Sequence, residues 1–307
     1  MKFVIGIDLG GTNIKFGLFD DRLKLSDKRI LNTARFRLKR QLIDILSAGV
    51  NEIVAKNSLT KKDIRGVGLG LPGPVDFQRG IVHYFPNIPG WREVPLRKIL
   101  ERRLKLPVYV DNDVKVMALA EYERGAAKKF KHAVCITLGT GIGGAILTLG
   151  ELYRGSSNAA GEIGHIPINE KGPACNCGGQ ACVESYVGNQ RLLAQARKAW
   201  GRQLSLEEMS RLARQGNRTA RKIWQQAGTR LGVALTGVVN FLNPECILIG
   251  GGVANAGNVL LDAVKKTIRK RAMQPQAQRV RIVRAALGEN AGMMGAAILV
   301  KRGRSGQ

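Results

Sequence analysis

The chain has 307 residues, and 44% of them are hydrophobic. A chain of this length exceeds the usual size of one compact core, so two domains are expected. Its formal net charge of +26 comes from basic residues spread among apolar positions, which excludes a disordered basic tail and indicates a lysine- and arginine-rich surface. That charge favours polyanions as partners, but aromatic residues make up only 5% of the chain, which gives little support to stacking of single-stranded nucleic acid.

The first predicted elements are a strand, a glycine turn and a second strand. Lys2–Ile7 is apolar and β-branched, "GGTN" follows, and "IKFGLFD" again has strand character. This N-terminus places Asp8 where a signal peptide is apolar, and we expect a soluble, cytoplasmic chain. Helical spacing predicts a helix over 37–56, after which "IRGVGLGLPGP" is a strand running into a loop that continues to "YFPNIPGW".

A second strand–turn–strand unit is predicted in the middle of the chain. The 18-residue uncharged run "AVCITLGTGIGGAILTLG" (133–150) is just long enough to cross a bilayer, but its five glycines and three threonines favour a hairpin. It repeats the pattern of "FVIGIDLGGTNIKFGLFD" about 130 residues earlier, which predicts two α/β halves. The other predicted elements are strands at "PVYVDND", "CILIGGGVA" and "RVRIVRAAL", and helices over 95–104, 114–124, 189–200, 205–215, 217–241, 257–273 and 291–302.

Three glycine clusters at strand ends are candidate phosphate loops. In "DLGGTNIK", glycines let backbone N–H groups approach phosphate oxygens, and Asp8 can hold Mg²⁺ through water; an ordinary hairpin turn explains the glycine pair nearly as well. "LGTGIGGA" matches GxGxxG, but no helix follows it, so a dinucleotide site is disfavoured. "LIGGGVA" suits adenine or ribose. The candidate nucleotide residues are Asp8, Gly10, Gly11, Thr12, Asn13, Lys15, Gly139, Thr140, Gly141, Gly250, Gly251 and Gly252.

Two polar residues stand at a strand end where a helix is predicted to begin. Asp113, in "VDND", can act as a general base if it faces a cleft. Asn112 and Asp113 are also common helix N-caps, and the local sequence alone favours the capping role.

Three of the five cysteines fall within eight residues. His165, Cys175, Cys177 and Cys182 offer one nitrogen and three thiolates, which is a closed tetrahedral zinc set with no open position for catalytic water. Disulfides leave one cysteine unpaired and do not suit the expected compartment. Glu162 and Glu184 flank the cluster, where carboxylates either accept hydrogen bonds from sugar hydroxyls or simply support the metal ligands.

These pieces in this order resemble the ROK family of sugar kinases and related repressors, within the actin–hexokinase–Hsp70 superfamily. The matching motifs are DLGGTNIK, LPGPVD, PNIPGW, VDND, LGTGIGGA, GEIGH, CxCGxxxCxE and IGGGVA. The resemblance implies an α/β, two-domain actin/hexokinase-like (ribonuclease H-like) fold with mixed sheets and an interdomain active-site cleft. We expect a small domain over 1–111 and a larger one with the zinc loop over 112–292. The final helix, in 293–307, is expected to pack back on the small domain.

The same resemblance assigns roles to the candidate residues. Asp113 becomes the general base, the hairpins at 8–15 and 138–145 become the phosphate loops, and His165 with the three clustered cysteines binds zinc. The implied sugar ligands are Asn87, Asn112, Asp113, Glu162, His165 and Glu184. The chain departs from the family pattern at Lys115, where relatives often carry Asn, and at Ala181, where Gly is usual.

The resemblance implies ATP- and Mg²⁺-dependent phosphorylation of a hexose at its 6-hydroxyl, and glucose is the expected hexose because "GEIGH" and "CNCG" look most like the glucokinase branch of the family. Mannose, fructose, N-acetylglucosamine and N-acetylmannosamine are alternative substrates, and polyphosphate is an alternative donor. A sugar-responsive regulator is the alternative of another class; because the first strand starts at residue 3, we expect no helix-turn-helix ahead of it. The resemblance suggests a dimer, and we expect no membrane partner and no nucleic-acid partner.

Overall fold

The computed structural model describes residues 2–32, 38–85, 88, 90–253 and 257–303. The chain forms two compact units. The first comprises Met1–Lys128, Arg154–Ala160 and Leu287–Gln307, and the second comprises Lys129–Tyr153 and Gly161–Ala286.

The first unit is built on a five-stranded mixed sheet in the order β3-β2-β1-β4-β8. In it, β1, β4 and β8 are parallel, and β2 and β3 extend the sheet as antiparallel strands. A small antiparallel sheet, β5-β6-β7, is separate from it. The strands are β1 (Phe3–Leu9), β2 (Asn13–Phe19), β3 (Leu25–Asn32), β4 (Ile64–Leu71), β5 (Val75–Asp76), β6 (Ile81–Tyr84), β7 (Arg92–Val94) and β8 (Val108–Asn112), and the helices are α1 (Lys39–Lys56), α2 (Leu96–Leu104), α3 (Asp113–Arg124) and α10 (Ala291–Arg302).

Glycines let the last helix of the chain lie directly on this sheet. A Cβ on Gly6 of β1 would overlap the carbonyl oxygen of Met293 in α10, so only glycine allows this approach. In the same way, Gly295 of α10 lies against the backbone of Val116 in α3. The first unit therefore includes α10 and continues through α3 to Lys128, beyond the predicted limit at residue 111.

The second unit repeats the topology of the first. Its sheet has the order β11-β10-β9-β12-β13, with β9 antiparallel to β10 and parallel to β12, as β1 is to β2 and β4. The predicted internal repeat is therefore present as structure. The strands are β9 (His132–Leu138), β10 (Ile142–Thr148), β11 (Glu151–Tyr153), β12 (Cys246–Gly250) and β13 (Arg281–Arg284), and the helices are α4 (Glu184–Val187), α5 (Asn189–Trp200), α6 (Leu206–Arg214), α7 (Arg218–Leu242), α8 (Asn258–Arg271) and α9 (Gln274–Arg279).

The apolar run at 133–150 forms the β9–β10 hairpin, as predicted. Within the described residues, no helix is long and apolar enough to cross a membrane. Strand β3 was not predicted, because its residues alternate between half-buried and exposed and include Lys28 and Arg29. Strands β5 and β6 form within a segment that was predicted to be a loop, and β7 directly follows that segment.

Candidate active site

The carboxyl ends of β1, β4 and β8 meet at one edge of the first sheet. Strand register places Asp8 beside Gly70 and Gly70 beside Asp111. Asn112 and Asp113 follow immediately as β8 passes into α3. In open α/β sheets, ligands bind outside such an edge, so the topology gathers the acidic candidates of this unit where a substrate would bind.

Asn112, rather than Asp113, is the cap of α3. Its side-chain oxygen accepts hydrogen bonds from the backbone N–H groups of Val114 (3.0 Å) and Lys115 (3.2 Å), and its amide donates to the Gly73 carbonyl (3.2 Å). Asp113 is the first helical residue, and its Oδ1 accepts from Val114 N–H at 2.8 Å. A carboxylate in the first helical turn is stabilised by the helix dipole. With the cap supplied by its neighbour, Asp113 is not required for that role.

Asp8 is half-buried and lies against the start of α10, where a Cβ on Gly292 would overlap its carboxylate. Burial raises the pKa of Asp8, and the ammonium of Lys15 partly offsets that rise. Lys15 Nζ also donates to the Glu289 carbonyl at 3.2 Å, and the turn beyond Asp8 is closed by a 2.9 Å hydrogen bond from Gly10 N–H to the Asn13 carbonyl. The predicted phosphate turn is therefore a tight hairpin with an acidic and a basic group at its base.

A buried ion pair beside this edge was not predicted. Asp111 is fully buried, and Arg154 Nη1 donates to its Oδ2 at 2.6 Å. The Arg154 guanidinium also lies 4.0 Å from the centroid of the Phe77 ring. Lys115, itself buried, donates from Nζ to the Asn158 carbonyl. The departure from the family pattern at Lys115 thus helps to hold residues 154–160 on the first unit.

Replacing Arg154 with Gln is expected to lower the free energy of unfolding by about 3–5 kcal/mol, because it leaves the Asp111 carboxylate buried without its partner. Urea unfolding followed by circular dichroism measures the change. The matched control is Arg202→Gln, which breaks the exposed Arg202–Glu208 pair (2.8 Å) and should cost no more than about 1 kcal/mol. Equal effects of the two substitutions would contradict a structural role for the buried pair.

In the second unit, two predicted nucleotide loops meet at the ends of β9 and β12. The β9–β10 turn is closed by a 2.9 Å hydrogen bond from Gly139 N–H to the Gly141 carbonyl. Gly251, with φ of 88°, packs directly on the backbone of Leu138, and Gly250 pairs with Thr137 in the sheet. The left-handed conformation and the close approach both require glycine.

Glu184, the first residue of α4, contacts this glycine turn. Its Oε2 accepts a hydrogen bond from Ile142 N–H at 2.6 Å. Glu162 immediately precedes a short 3₁₀ turn, Ile163–His165, and Gly164 of that turn packs against the Ile142 carbonyl. Both candidate sugar carboxylates therefore lie on segments that pack against the start of β10.

The predicted metal ligands converge. The ligand atoms of His165, Cys175, Cys177 and Cys182 all lie within 4.8 Å of one another. His165 Nδ1 is 3.6 Å from Cys175 Sγ, and Cys177 Sγ is 3.7 Å from Cys182 Sγ. Tetrahedral ligands at zinc–ligand distances of roughly 2.0–2.3 Å are separated by about 3.5–3.8 Å, so the donor set fits zinc. His165 Nε2 lies on the other side of the ring, 4.0 Å from Glu162 Oε2.

Cys175 and Cys182 have pKa values shifted in opposite directions. Burial raises the pKa of Cys175, but hydrogen bonds from the backbone of Cys177 and from neighbouring side chains outweigh it and lower the pKa to about 6. Burial and hydrogen bonds with the other two cysteines raise the pKa of Cys182 to about 12. Three adjacent thiolates repel one another, and a bound dication would hold all three deprotonated.

Ala181, which directly precedes the metal-ligand candidate Cys182, adopts a φ of 58°. This left-handed region favours glycine, which accounts for the glycine usual at this position in the family pattern. Two isolated antiparallel β-bridges form around Ala181, one between Pro167 and Cys182 and the other between Ala174 and Gln180. Alanine at this position therefore does not prevent the backbone pairing of the loop.

The structure groups the predicted residues by unit. Within the first unit it brings together Asp8, the 10–15 turn, Asn112 and Asp113, and within the second it brings together the turns at 139–141 and 250–252, the zinc ligands, Glu162 and Glu184. Asn87 lies outside the described residues. Asp111 and Arg154 are the residues near this site that the sequence did not predict. An aspartate directly after the apolar residues "VYV" of β8 indicates a buried charge, but nothing in the sequence identifies an arginine 43 residues away as its partner.

The ROK family model matches residues 4–303. A glucokinase of Halalkalibacterium halodurans is 33% identical over 98% of this chain and 96% of its own. The structure of a ROK family glucokinase from Streptomyces griseus, in complex with glucose and AMPPNP, superposes with a TM-score of 0.85 at 31% identity, covering 98% of this chain and 99% of that one. A xylose repressor of Caldicellulosiruptor bescii is 29% identical over 97% of this chain and 77% of the repressor. The predicted α/β sugar-kinase fold is confirmed, and the chain belongs to the ROK family.

Proposed function

We propose that this chain, a sugar kinase, transfers the γ-phosphoryl group of ATP to the 6-hydroxyl of glucose. The observation that carries the proposal is Asp113 at the first turn of α3, with Asn112 supplying the helix cap. Similarity to glucokinases over nearly the whole chain supports glucose as the acceptor and ATP as the donor.

In this proposal Asp113 is the general base. Its carboxylate accepts the proton of the 6-hydroxyl as that oxygen attacks the γ-phosphorus in line, and ADP departs with its bridging oxygen. The hydrogen bond from Val114 N–H (2.8 Å) fixes one carboxylate oxygen. Asn112, whose amide donates to the Gly73 carbonyl, orients the strand end and contributes to sugar binding.

The sugar ligands of the second unit are Glu162, His165 and Glu184. Asn87, from the segment Met1–Lys128, is a further sugar ligand. Carboxylates accept hydrogen bonds from neighbouring sugar hydroxyls, and His165 keeps Nε2 for a hydroxyl if Nδ1 is used for the metal. Zinc, when bound, supplies a rigid anchor for the loop that carries these residues. The 3.6 Å separation of His165 Nδ1 and Cys175 Sγ supports this division of the ring nitrogens.

The phosphate groups of ATP are assigned to the glycine turns. Backbone N–H groups of such turns approach phosphate oxygens closely because no Cβ intervenes, and Lys15 adds a positive charge. Asp8, half-buried beside the first turn, would hold Mg²⁺ through water. Mg²⁺, when bound with ATP, neutralises charge on the transferring phosphoryl group.

A coupled assay of ADP release across a sugar panel tests the substrate. Glucose is expected to give the highest kcat/KM among glucose, mannose, fructose, N-acetylglucosamine and N-acetylmannosamine. A higher value for another sugar would reassign the acceptor, and phosphorylation with polyphosphate exceeding that with ATP would reassign the donor. If no sugar is phosphorylated and a sugar changes DNA binding instead, the second candidate, a regulator like the xylose repressor it resembles, replaces the kinase.

A further inference from the structure

The outward face of helix α8 carries a stripe of cationic side chains that has no role in the proposed phosphoryl transfer. Lys265, Lys266, Arg269 and Lys270 recur one turn apart, which is the spacing of a single helical face. The opposite face is apolar and buried, through Leu260, Leu261, Val264 and Ile268. The stripe therefore points away from the core.

These four cations and Asp262 line an open groove of about 470 Å³. Asp262 Oδ1 lies 3.8 Å from Lys265 Nζ, and both side chains are exposed, so this pair contributes little. Within the part of the chain that the structure describes, Lys266, Arg269 and Lys270 form no ion pair. The groove is thus positive, with one carboxylate at its N-terminal end.

Helix stability does not account for the stripe. Cations in the last turn of a helix are favoured by the helix dipole, which covers Arg269, Lys270 and Arg271. The dipole effect falls off beyond that turn, and like charges four residues apart repel, as Lys265–Arg269 and Lys266–Lys270 do. An anionic ligand would relieve this repulsion.

We propose that this face of α8 binds linear inorganic polyphosphate. Such a chain bears a negative charge on every phosphorus and presents no sugar or base, so two adjacent rows of cations, together extending along about 7.5 Å of helix between residues 265 and 270 at a rise of about 1.5 Å per residue, suit it. The helix carries no aromatic side chain, which disfavours stacking of single-stranded bases. A single narrow helical face also offers few of the spread contacts that a nucleic-acid duplex needs.

Titration calorimetry with medium-chain polyphosphate, in a saturating excess of a nonhydrolysable ATP analogue, tests the site. Each neutralised phosphate of a single-stranded polyanion contributes a slope of about −0.7 to log K against log salt. Four contacts therefore predict roughly fiftyfold weaker binding at 200 mM than at 50 mM salt. Loss of binding on adding the analogue would place polyphosphate in the nucleotide site and overturn the proposal.

The decisive variant combines Lys266→Ala, Arg269→Ala and Lys270→Ala. Alanine retains helix propensity, and we expect affinity for polyphosphate to fall about tenfold or more at 100 mM salt and the salt effect to shrink to about threefold. The matched control, Arg191→Ala, Arg197→Ala and Lys198→Ala, removes the same charge from exposed positions of α5 and should change affinity less than about twofold. Thermal unfolding of each variant shows that both are folded.

Three further results would overturn the proposal. Equal losses in both triple variants would mean that polyphosphate binds the overall positive charge rather than this face. Duplex DNA binding as tightly as polyphosphate, with the same loss in the α8 variant, would make nucleic acid the occupant. No binding at 100 mM salt would leave the face without this ligand. Because the readout is binding, it does not depend on whether the chain phosphorylates glucose.

Discussion

Asp113→Asn is expected to lower kcat for sugar phosphorylation by about three orders of magnitude or more, with sugar binding retained. A general base contributes roughly 10²–10⁴-fold, and the amide cannot accept the hydroxyl proton. Asparagine keeps the shape and the acceptor for the 2.8 Å hydrogen bond from Val114 N–H, so α3 should start as before. The coupled ADP-release assay gives kcat, and titration calorimetry gives the affinity for glucose.

The control for this experiment is the same chemical change at a carboxylate far from the proposed chemistry. Asp63 accepts hydrogen bonds from Thr60 at a short surface turn, and Asp63→Asn should leave kcat within about twofold. If Asp113→Asn keeps kcat within tenfold of the unaltered enzyme, Asp113 is not the base. A parallel loss of glucose affinity would instead indicate that Asp113 mainly binds the sugar.

Local chemistry made part of this site predictable from sequence. Glycine turns, the spacing of His165 and the three cysteines, and the strand-end "VDND" each carry their own physical signature. The structure brings the four metal ligands within 4.8 Å of one another, as the spacing predicted. The roles of Asn112 and Asp113 could not be predicted in the same way, because the local sequence allows either residue to cap α3. The structure shows that Asn112 is the cap.

Contacts between distant segments were not predictable. Arg154 reaches Asp111 across 43 residues, and α10 reaches β1 through glycines whose close approach a single sequence does not specify. Strand β3 lies at a sheet edge, where alternation between half-buried and exposed positions weakens the apolar pattern. These features depend on tertiary packing, whereas most helix limits, such as 189–200, followed from apolar periodicity alone.

The second large effect is expected from Cys177→Ser, which removes one thiolate of the predicted zinc site. Cys177 is the exposed member of the cluster, so the substitution disturbs packing little and mainly weakens metal binding. Losing the metal should loosen the loop that carries Glu162 and His165 and raise the KM for glucose by about ten- to a hundredfold. The KM for ATP should change less than about threefold. Metal analysis by mass spectrometry should find one zinc per chain in the unaltered protein and less in the variant.

Cys246→Ala provides the matched control for this variant. Cys246 is fully buried in β12, outside the metal cluster, so its loss should lower stability by opening a small cavity but leave the zinc content and the KM for glucose unchanged. Stoichiometric zinc in Cys177→Ser with an unchanged KM for glucose would show that this thiolate is dispensable. If carefully purified unaltered protein contains no zinc and is fully active, the metal is not required for sugar binding or catalysis. A rise in both KM values together would mean that the loop supports the whole second unit, because an anchor for sugar ligands alone changes the binding of one substrate and spares the other.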